Sequence, residues 1–108
     1  MNAIKERIYS YIRETLGIDD LESAKDLMLE YCATFAEYLT KIEQLVAAKD
    51  GAGLYRAAHS LKGCSGNVGH AQVSDLCLRL ETAAQTENFS DAEEILRQLR
   101  MAADALRS

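Results

Sequence analysis

The sequence predicts an all-α fold, an antiparallel four-helix bundle with an additional N-terminal helix. Apolar residues recur at steps of three and four along most of the 108 residues, which is the spacing of one face of an α-helix. The chain contains no proline, so none of its predicted helices is interrupted by one. Because glycine and polar residues join the apolar stretches by short connections, neighbouring helices should pack antiparallel.

The first two predicted helices cover about residues 2–16 and 20–48. Gly17 is a typical helix stop, and Asp19 with Glu22 predicts a capping box that opens the second helix. The apolar stripes of these two helices are Ile4, Ile8, Tyr11, Ile12 and Leu16, and then Ala24, Met28, Tyr31, Phe35, Tyr38, Ile42, Leu45 and Val46.

Three further helices follow a turn at Asp50 and Gly51. The third and fourth are predicted over about residues 53–68 and 71–86, and Ser90 with Glu93 forms a capping box for the fifth. Their apolar stripes are Leu54, Ala58, Leu61, Ser65 and Val68; Val73, Leu76, Leu80 and Ala83 or Ala84; and Ile95, Leu96, Leu99, Ala102, Ala103 and Leu106. Since the chain is long enough for one core only, we expect one domain over residues 1–108, with residues 1–17 as a lid helix and 20–107 as the bundle.

The composition narrows the class of function. Hydrophobic residues make up 48% and charged residues 27% of the chain, as in ordinary soluble domains. The net charge of −5 argues against binding to nucleic acid, and no apolar run approaches the roughly 20 residues of a membrane span. The charged N-terminal stretch has no apolar core like that of a signal peptide, and three widely spaced cysteines form no disulfide framework. We therefore expect a cytoplasmic protein that binds neither nucleic acid nor membrane.

The third predicted helix has a second stripe, turned away from its apolar one. This stripe consists of Tyr55, His59, Lys62, Gly63 and Gly66. A glycine inside a helix costs roughly 1 kcal/mol relative to alanine, so these glycines need a reason. Gly63 would leave the imidazole of His59 open to a bulky partner, and Gly66 would extend that clearance. A nucleophilic imidazole, a lysine one turn away and a bare surface together suit phosphoryl transfer.

Each of these residues also has a plainer interpretation. An exposed histidine on a helix is usually only a surface residue, and a lysine is normally a solvated charge. The glycines could instead allow close packing against a neighbouring helix, and we interpret Gly69 as a C-terminal stop. Only the combination on one face favours a functional site.

The stretch AHSLKGCSGNVG, residues 58–69, closely resembles the signature of histidine-containing phosphotransfer (HPt) domains. That signature runs His-x-x-Lys-Gly and continues into Gly-Asn, an apolar residue and Gly; here it is followed by a helix with the pattern LCLRLE. The resemblance extends more loosely over residues 20–106. In that family the histidine accepts a phosphoryl group from a receiver-domain aspartate and passes it to another.

The resemblance implies a role for each residue of the stripe. His59 would be the phosphoacceptor, Lys62 would offset charge on the phosphoryl group, and Gly63 would grant access. Tyr55 and Gly66 would belong to the surface that docks the partner. The partners implied are response-regulator receiver domains, a hybrid histidine kinase, or both. We expect no cofactor on this chain and Mg²⁺ on the receiver, because the sequence has no phosphate-binding loop of its own and reads as a carrier rather than an autonomous enzyme.

Other polar residues near the signature are less clearly assigned. Glu81 stands where family members often have glutamine; it could orient the ring of His59 or be an exposed charge. Cys64 is interpreted as a semi-buried filler, and His70 as a capping or turn residue. A metal site built from His59, Cys64, His70 and Cys77 matches no familiar zinc spacing.

Three alternatives are weighed against this hypothesis, and the first two stay open. The chain could be the phosphorylatable N-terminal domain of a chemotaxis-type histidine kinase, which takes its phosphoryl group from an ATP-bound kinase domain. It could also be a helical adaptor in which His59 is incidental. A hydrolase with His59 as base is discounted, because Ser60 and Ser65 lie on other parts of the helix surface.

Overall fold

A computed structural model describes residues 2–107, and within that range it contains five α-helices and no strand. The prediction of an all-α fold is therefore confirmed. The helices are α1 (Ala3–Leu16), α2 (Leu21–Ala47), α3 (Gly51–Asn67), α4 (Ala71–Gln85) and α5 (Phe89–Arg107).

The helices α2 to α5 form a closed four-helix arrangement. Helix α3 packs against α2 and α4, and α5 packs against α4 and α2. Each of these four helices therefore has two neighbours within the bundle. Three residues join each consecutive pair, which leaves room only for antiparallel neighbours. Helix α1 packs on α2 and α5 and contributes two fully buried side chains, Ile8 and Ile12.

The predicted apolar stripes supply the core. Phe35 and Ile42 of α2, Leu54 and Leu61 of α3, and Leu99 of α5 are among the fully buried side chains. Burial of a side chain of this size contributes about 1.5–3 kcal/mol. The buried side chains therefore determine which face of each helix points into the core. Leu16 is an exception, because it is exposed although it continues the stripe of α1.

Two predicted helix starts were wrong by one or two residues. Asp20, not Asp19, caps α2: its carboxylate accepts hydrogen bonds from the Ser23 hydroxyl and backbone N–H, which lower the pKa of Asp20 below its usual value. Helix α5 starts at Phe89, and the side chain of Asn88 accepts from the Asp91 N–H, so the capping box predicted at Ser90 does not open this helix.

The connections before and after α3 differ from each other. Gly51, predicted as a turn residue, is the first residue of α3, and the Asp50 side chain accepts the Gly53 N–H at 3.0 Å. At the other end Gly69 has a φ of +71°, which confirms it as a helix stop. Both ends of the helix that carries the signature are thus fixed locally.

Candidate functional site

Helix α3 holds His59 on the surface of the bundle. The apolar stripe of α3 is buried, and Leu54, Ala58 and Leu61 are fully so. His59 lies on the opposite side of the helix, with 63% of its side chain exposed. Burial of the apolar stripe of α3 therefore turns His59 outward, as predicted.

The ring of Tyr55 lies beside the imidazole of His59. The two rings are nearly parallel, with an interplanar angle of 10° and centroids 6.0 Å apart. Tyr55 is itself half-buried and packs against the core. Because one side of the imidazole faces an aromatic ring that the core holds in place, the ring of His59 has fewer orientations open to it than a freely exposed histidine.

A carboxylate and an ammonium lie on the α4 side of His59. Glu81 Oε1 is 2.5 Å from Lys62 Nζ and 3.7 Å from His59 Nδ1. The Glu81 side chain is only 8% exposed and that of Lys62 is 29% exposed, so the pair is largely removed from water. The alternative that Glu81 is an exposed helix charge was wrong.

The contact of Glu81 with His59 selects one ring nitrogen. At 3.7 Å it is longer than a hydrogen bond, yet it places Nδ1 rather than Nε2 near the carboxylate. A proton on Nδ1 is favoured beside a negative charge, and the lone pair then lies on Nε2. The arrangement can therefore present Nε2 as the nucleophilic nitrogen, on the side of the ring that faces away from Glu81.

The glycines of the outward stripe have no packing role within the chain. A Cβ added at Gly63 would meet nothing within 4 Å, and one at Gly66 would make only an ordinary 3.9 Å contact with Ser74 Oγ. The alternative that they allow close helix packing was therefore wrong. A glycine destabilises a helix, and no packing contact within the molecule offsets that loss of stability at Gly63. The remaining physical reason for Gly63 is the open surface that it leaves next to His59.

The cysteines near the site are not arranged for chemistry. Cys64 is half-buried and free, as predicted for a filler. Cys77 is fully buried, and burial raises the pKa of its thiol to about 12, with the nearby Glu81 adding to the effect. Cys77 is therefore a neutral thiol at any physiological pH.

His70 occupies the N-cap position of α4, in the turn after α3, as predicted for a capping or turn residue, but its side chain makes no capping hydrogen bond. It is buried, and its Nδ1 is 2.7 Å from the Tyr31 hydroxyl. The ring also lies edge-on to Tyr31 and Phe35 of α2. The only sequence signal for this pair is Tyr31 itself, whose core position demands a polar partner.

The four residues considered for a metal site do not come together. No group of three or more His, Cys, Asp or Glu residues within 2–107 has the geometry to hold a metal ion. His59 is exposed and His70 is buried against α2, which separates the two imidazoles.

The fold and the site together define a class: a helical bundle that presents one histidine on a helix face, with a lysine and glycine one turn along. Comparison with protein families identifies it, because the Hpt domain family matches residues 26–108. The chain belongs to the Hpt domain family, the histidine-containing phosphotransfer modules of phosphorelays, which are phosphocarriers that interact with receiver domains and kinases.

The other comparisons add no individual relative. No curated protein and no solved structure matches the chain. Among residues 2–107, none of the helices is both long and apolar enough to cross a membrane.

Proposed function

We propose that this protein carries a phosphoryl group on His59, accepting it from the aspartyl phosphate of one receiver domain and passing it to another. The observation that carries the proposal is the exposed imidazole of His59 on α3, flanked by the Lys62–Glu81 pair and by the open surface at Gly63. Family membership supports phosphotransfer in general, and the geometry supports this residue for it.

The transfer needs only one nucleophilic nitrogen from this chain. The lone pair of His59 Nε2 forms the new N–P bond while the acyl P–O bond breaks, and the electron pair of that bond leaves with the carboxylate of the partner's aspartate. The imidazole gains positive charge as the bond forms. The Glu81 carboxylate lies 3.7 Å from Nδ1, on the side where that charge is exposed, and stabilises it.

Lys62 has a second electrostatic role. Its ammonium neutralises Glu81 in the resting protein, so the carboxylate does not repel an approaching phosphate. Its side chain is partly exposed and sits on the stripe of His59, which places a positive charge near the incoming group. We expect Mg²⁺ to be supplied by the receiver, where the aspartyl phosphate forms.

The test is transfer from a receiver domain that has been loaded with labelled acetyl phosphate in the presence of Mg²⁺. We expect label on this protein that is lost in acid and survives alkali, as phosphohistidine does, and none on His59→Gln. Ser90→Ala, which changes an exposed hydroxyl on α5, should take up label like the unaltered protein. Label that resists acid, or that persists in His59→Gln, would overturn the proposal.

A second donor separates this proposal from the kinase-domain alternative. Loading by an ATP-bound histidine kinase catalytic domain, with none from any receiver tested, would assign the chain to the chemotaxis type. Loading by receivers supports a relay carrier.

A further inference from the structure

A charged groove runs along the side of His59 that faces α2. It is a cleft of about 280 Å³ between α2 and α3, and its polar walls come from Tyr38 and Lys41 of α2 and from Arg56 and Ser60 of α3. Arg56 precedes His59 by three residues, so both side chains leave the same side of the helix. Ser60, the residue after His59, also lines the groove, so the groove lies next to the phosphotransfer site on α3.

The two cations of this groove are not neutralised within the described part of the chain. Neither Lys41 nor Arg56 has an acidic group within 4.0 Å in residues 2–107; Lys41 Nζ lies over the ring of Tyr38, 5.3 Å from its centroid. The one carboxylate in the groove, Asp50, is engaged by the first turn of α3. The groove thus keeps a positive charge on a chain whose net charge is −5.

The opposite flank of His59 behaves differently. There the ammonium of Lys62 is held by the carboxylate of Glu81, so its charge is largely compensated until a phosphoryl group arrives. Among the described residues next to His59, the cations without an ion-pair partner are therefore Lys41 and Arg56 of the groove. Two unpaired cations beside a reactive residue are the arrangement expected of electrostatic steering.

We propose that Lys41 and Arg56 form a docking groove for the acidic rim of the receiver domain's phosphorylation site; this rests on the proposed function of His59. A receiver that forms an aspartyl phosphate with Mg²⁺ needs several carboxylates around that aspartate, because Mg²⁺ takes oxygen ligands. Such a rim is negatively charged, and it must come next to His59 for transfer. Lys41 and Arg56 lie where the edge of that rim meets α2, and they orient the partner without touching the reacting atoms.

The experiment compares two double variants, each of which removes two positive charges, in the same transfer assay. Lys41→Gln/Arg56→Gln removes both cations of the groove. Arg13→Gln/Lys25→Gln is the matched control, since it also removes two exposed cations, Arg13 on α1 and Lys25 on α2, the latter about 24 Å along the helix from Lys41. The kcat/KM for transfer from the acetyl phosphate-loaded receiver is measured between about 20 and about 300 mM salt, where screening changes most. Each value is divided by the same variant's rate of direct labelling by phosphoramidate, a small donor that needs no docking.

We expect the groove variant to lose about tenfold in this ratio at low salt and to show a much weaker salt dependence, while Arg13→Gln/Lys25→Gln stays near the unaltered protein. Equal behaviour of the groove variant and Arg13→Gln/Lys25→Gln would overturn the docking inference and leave the proposed function standing. Absence of labelling by both donors in the unaltered protein would instead remove the proposed function. A loss that persists undiminished at high salt would also overturn the inference, because it would not be electrostatic.

Discussion

Glu81 binds the Lys62 ammonium at 2.5 Å although only 8% of its side chain is exposed, and the same oxygen lies 3.7 Å from His59 Nδ1. The carboxylate therefore links the charge partner and the reactive ring through one buried atom. A buried carboxylate is tolerated only while a counter-charge accompanies it. The site and the stability of the fold consequently depend on the same ion pair.

The ion pair leads to a prediction about stability. Lys62→Met should lower the free energy of unfolding by about 2 kcal/mol, because it leaves the buried carboxylate unpaired. Glu81→Gln should cost less, since Lys62 is partly exposed and can reach water. Urea unfolding followed by far-UV circular dichroism measures both, and Lys62→Met/Glu81→Gln should recover most of the loss.

The matched control for this experiment is the exposed pair of Arg97 and Glu94 on α5. Both of those side chains are about half exposed, so water screens their attraction and Arg97→Met should cost less stability than Lys62→Met. A cost for Lys62→Met no greater than that of Arg97→Met would contradict the prediction.

Glu81→Gln should also slow phosphorylation of His59. The amide carries no negative charge to face the ring as it becomes positive, so we expect the rate of labelling by phosphoramidate to fall about tenfold. Glu93→Gln changes an exposed carboxylate on α5 and serves as the control. An unchanged rate in Glu81→Gln would show that the carboxylate acts on packing alone.

Gly63→Ala should separate stability from transfer. The added Cβ meets nothing within 4 Å, so the helix gains up to about 1 kcal/mol and thermal unfolding shifts upward. A larger side chain, as in Gly63→Leu, should reduce transfer from a receiver domain by at least about tenfold, because it fills the surface that the partner must approach. Labelling by phosphoramidate should fall much less, since that donor is small. Equal losses with both donors would mean that Gly63 acts on His59 and not on docking.

Sequence periodicity was enough to predict the helices and the outward position of His59, since one buried stripe fixes the phase of a helix. Periodicity could not predict Glu81 as a buried residue, because glutamate is rarely buried and its counter-charge Lys62 lies on another helix. A signal was present: Glu81 follows Cys77 by four residues and precedes Ala84 by three, and both of these are buried.

The helix starts were missed for another reason. Asp19 and Asp20, like Asn88 and Ser90, are equally good caps, and the choice between them depends on tertiary packing.

The buried His70 should make stability depend on pH. Burial lowers the pKa of His70 below the ordinary value of 6.5, so the folded protein holds this imidazole neutral against Tyr31 while the unfolded chain can protonate it. This contribution to stability is fully present above pH 6.5 and is lost as the pH falls from there toward the lowered pKa of the folded state. The free energy of unfolding should therefore fall between pH 7 and pH 5.5, by at most about 1.4 kcal/mol per pH unit.

Two variants test the assignment of this pH dependence. His70→Phe should flatten the slope over that interval, whereas His59→Gln should keep it, because His59 is exposed in the folded state. A slope that disappears in His59→Gln and remains in His70→Phe would contradict the assignment.

Gly69 and Gly17 offer a matched pair for the turn that ends α3. Both have a φ of +71°, so alanine at either position costs about 1–2 kcal/mol in backbone strain. A Cβ at Gly17 would meet nothing within 4 Å, but one at Gly69 would lie closer than 3.0 Å to three carbons of the Tyr11 ring. Gly69→Ala should therefore destabilise the protein by at least about 1 kcal/mol more than Gly17→Ala. In a Tyr11→Ala background the two costs should become equal, since the ring is gone and only the shared strain remains; an excess that survives there would mean that Tyr11 is not what restricts this turn.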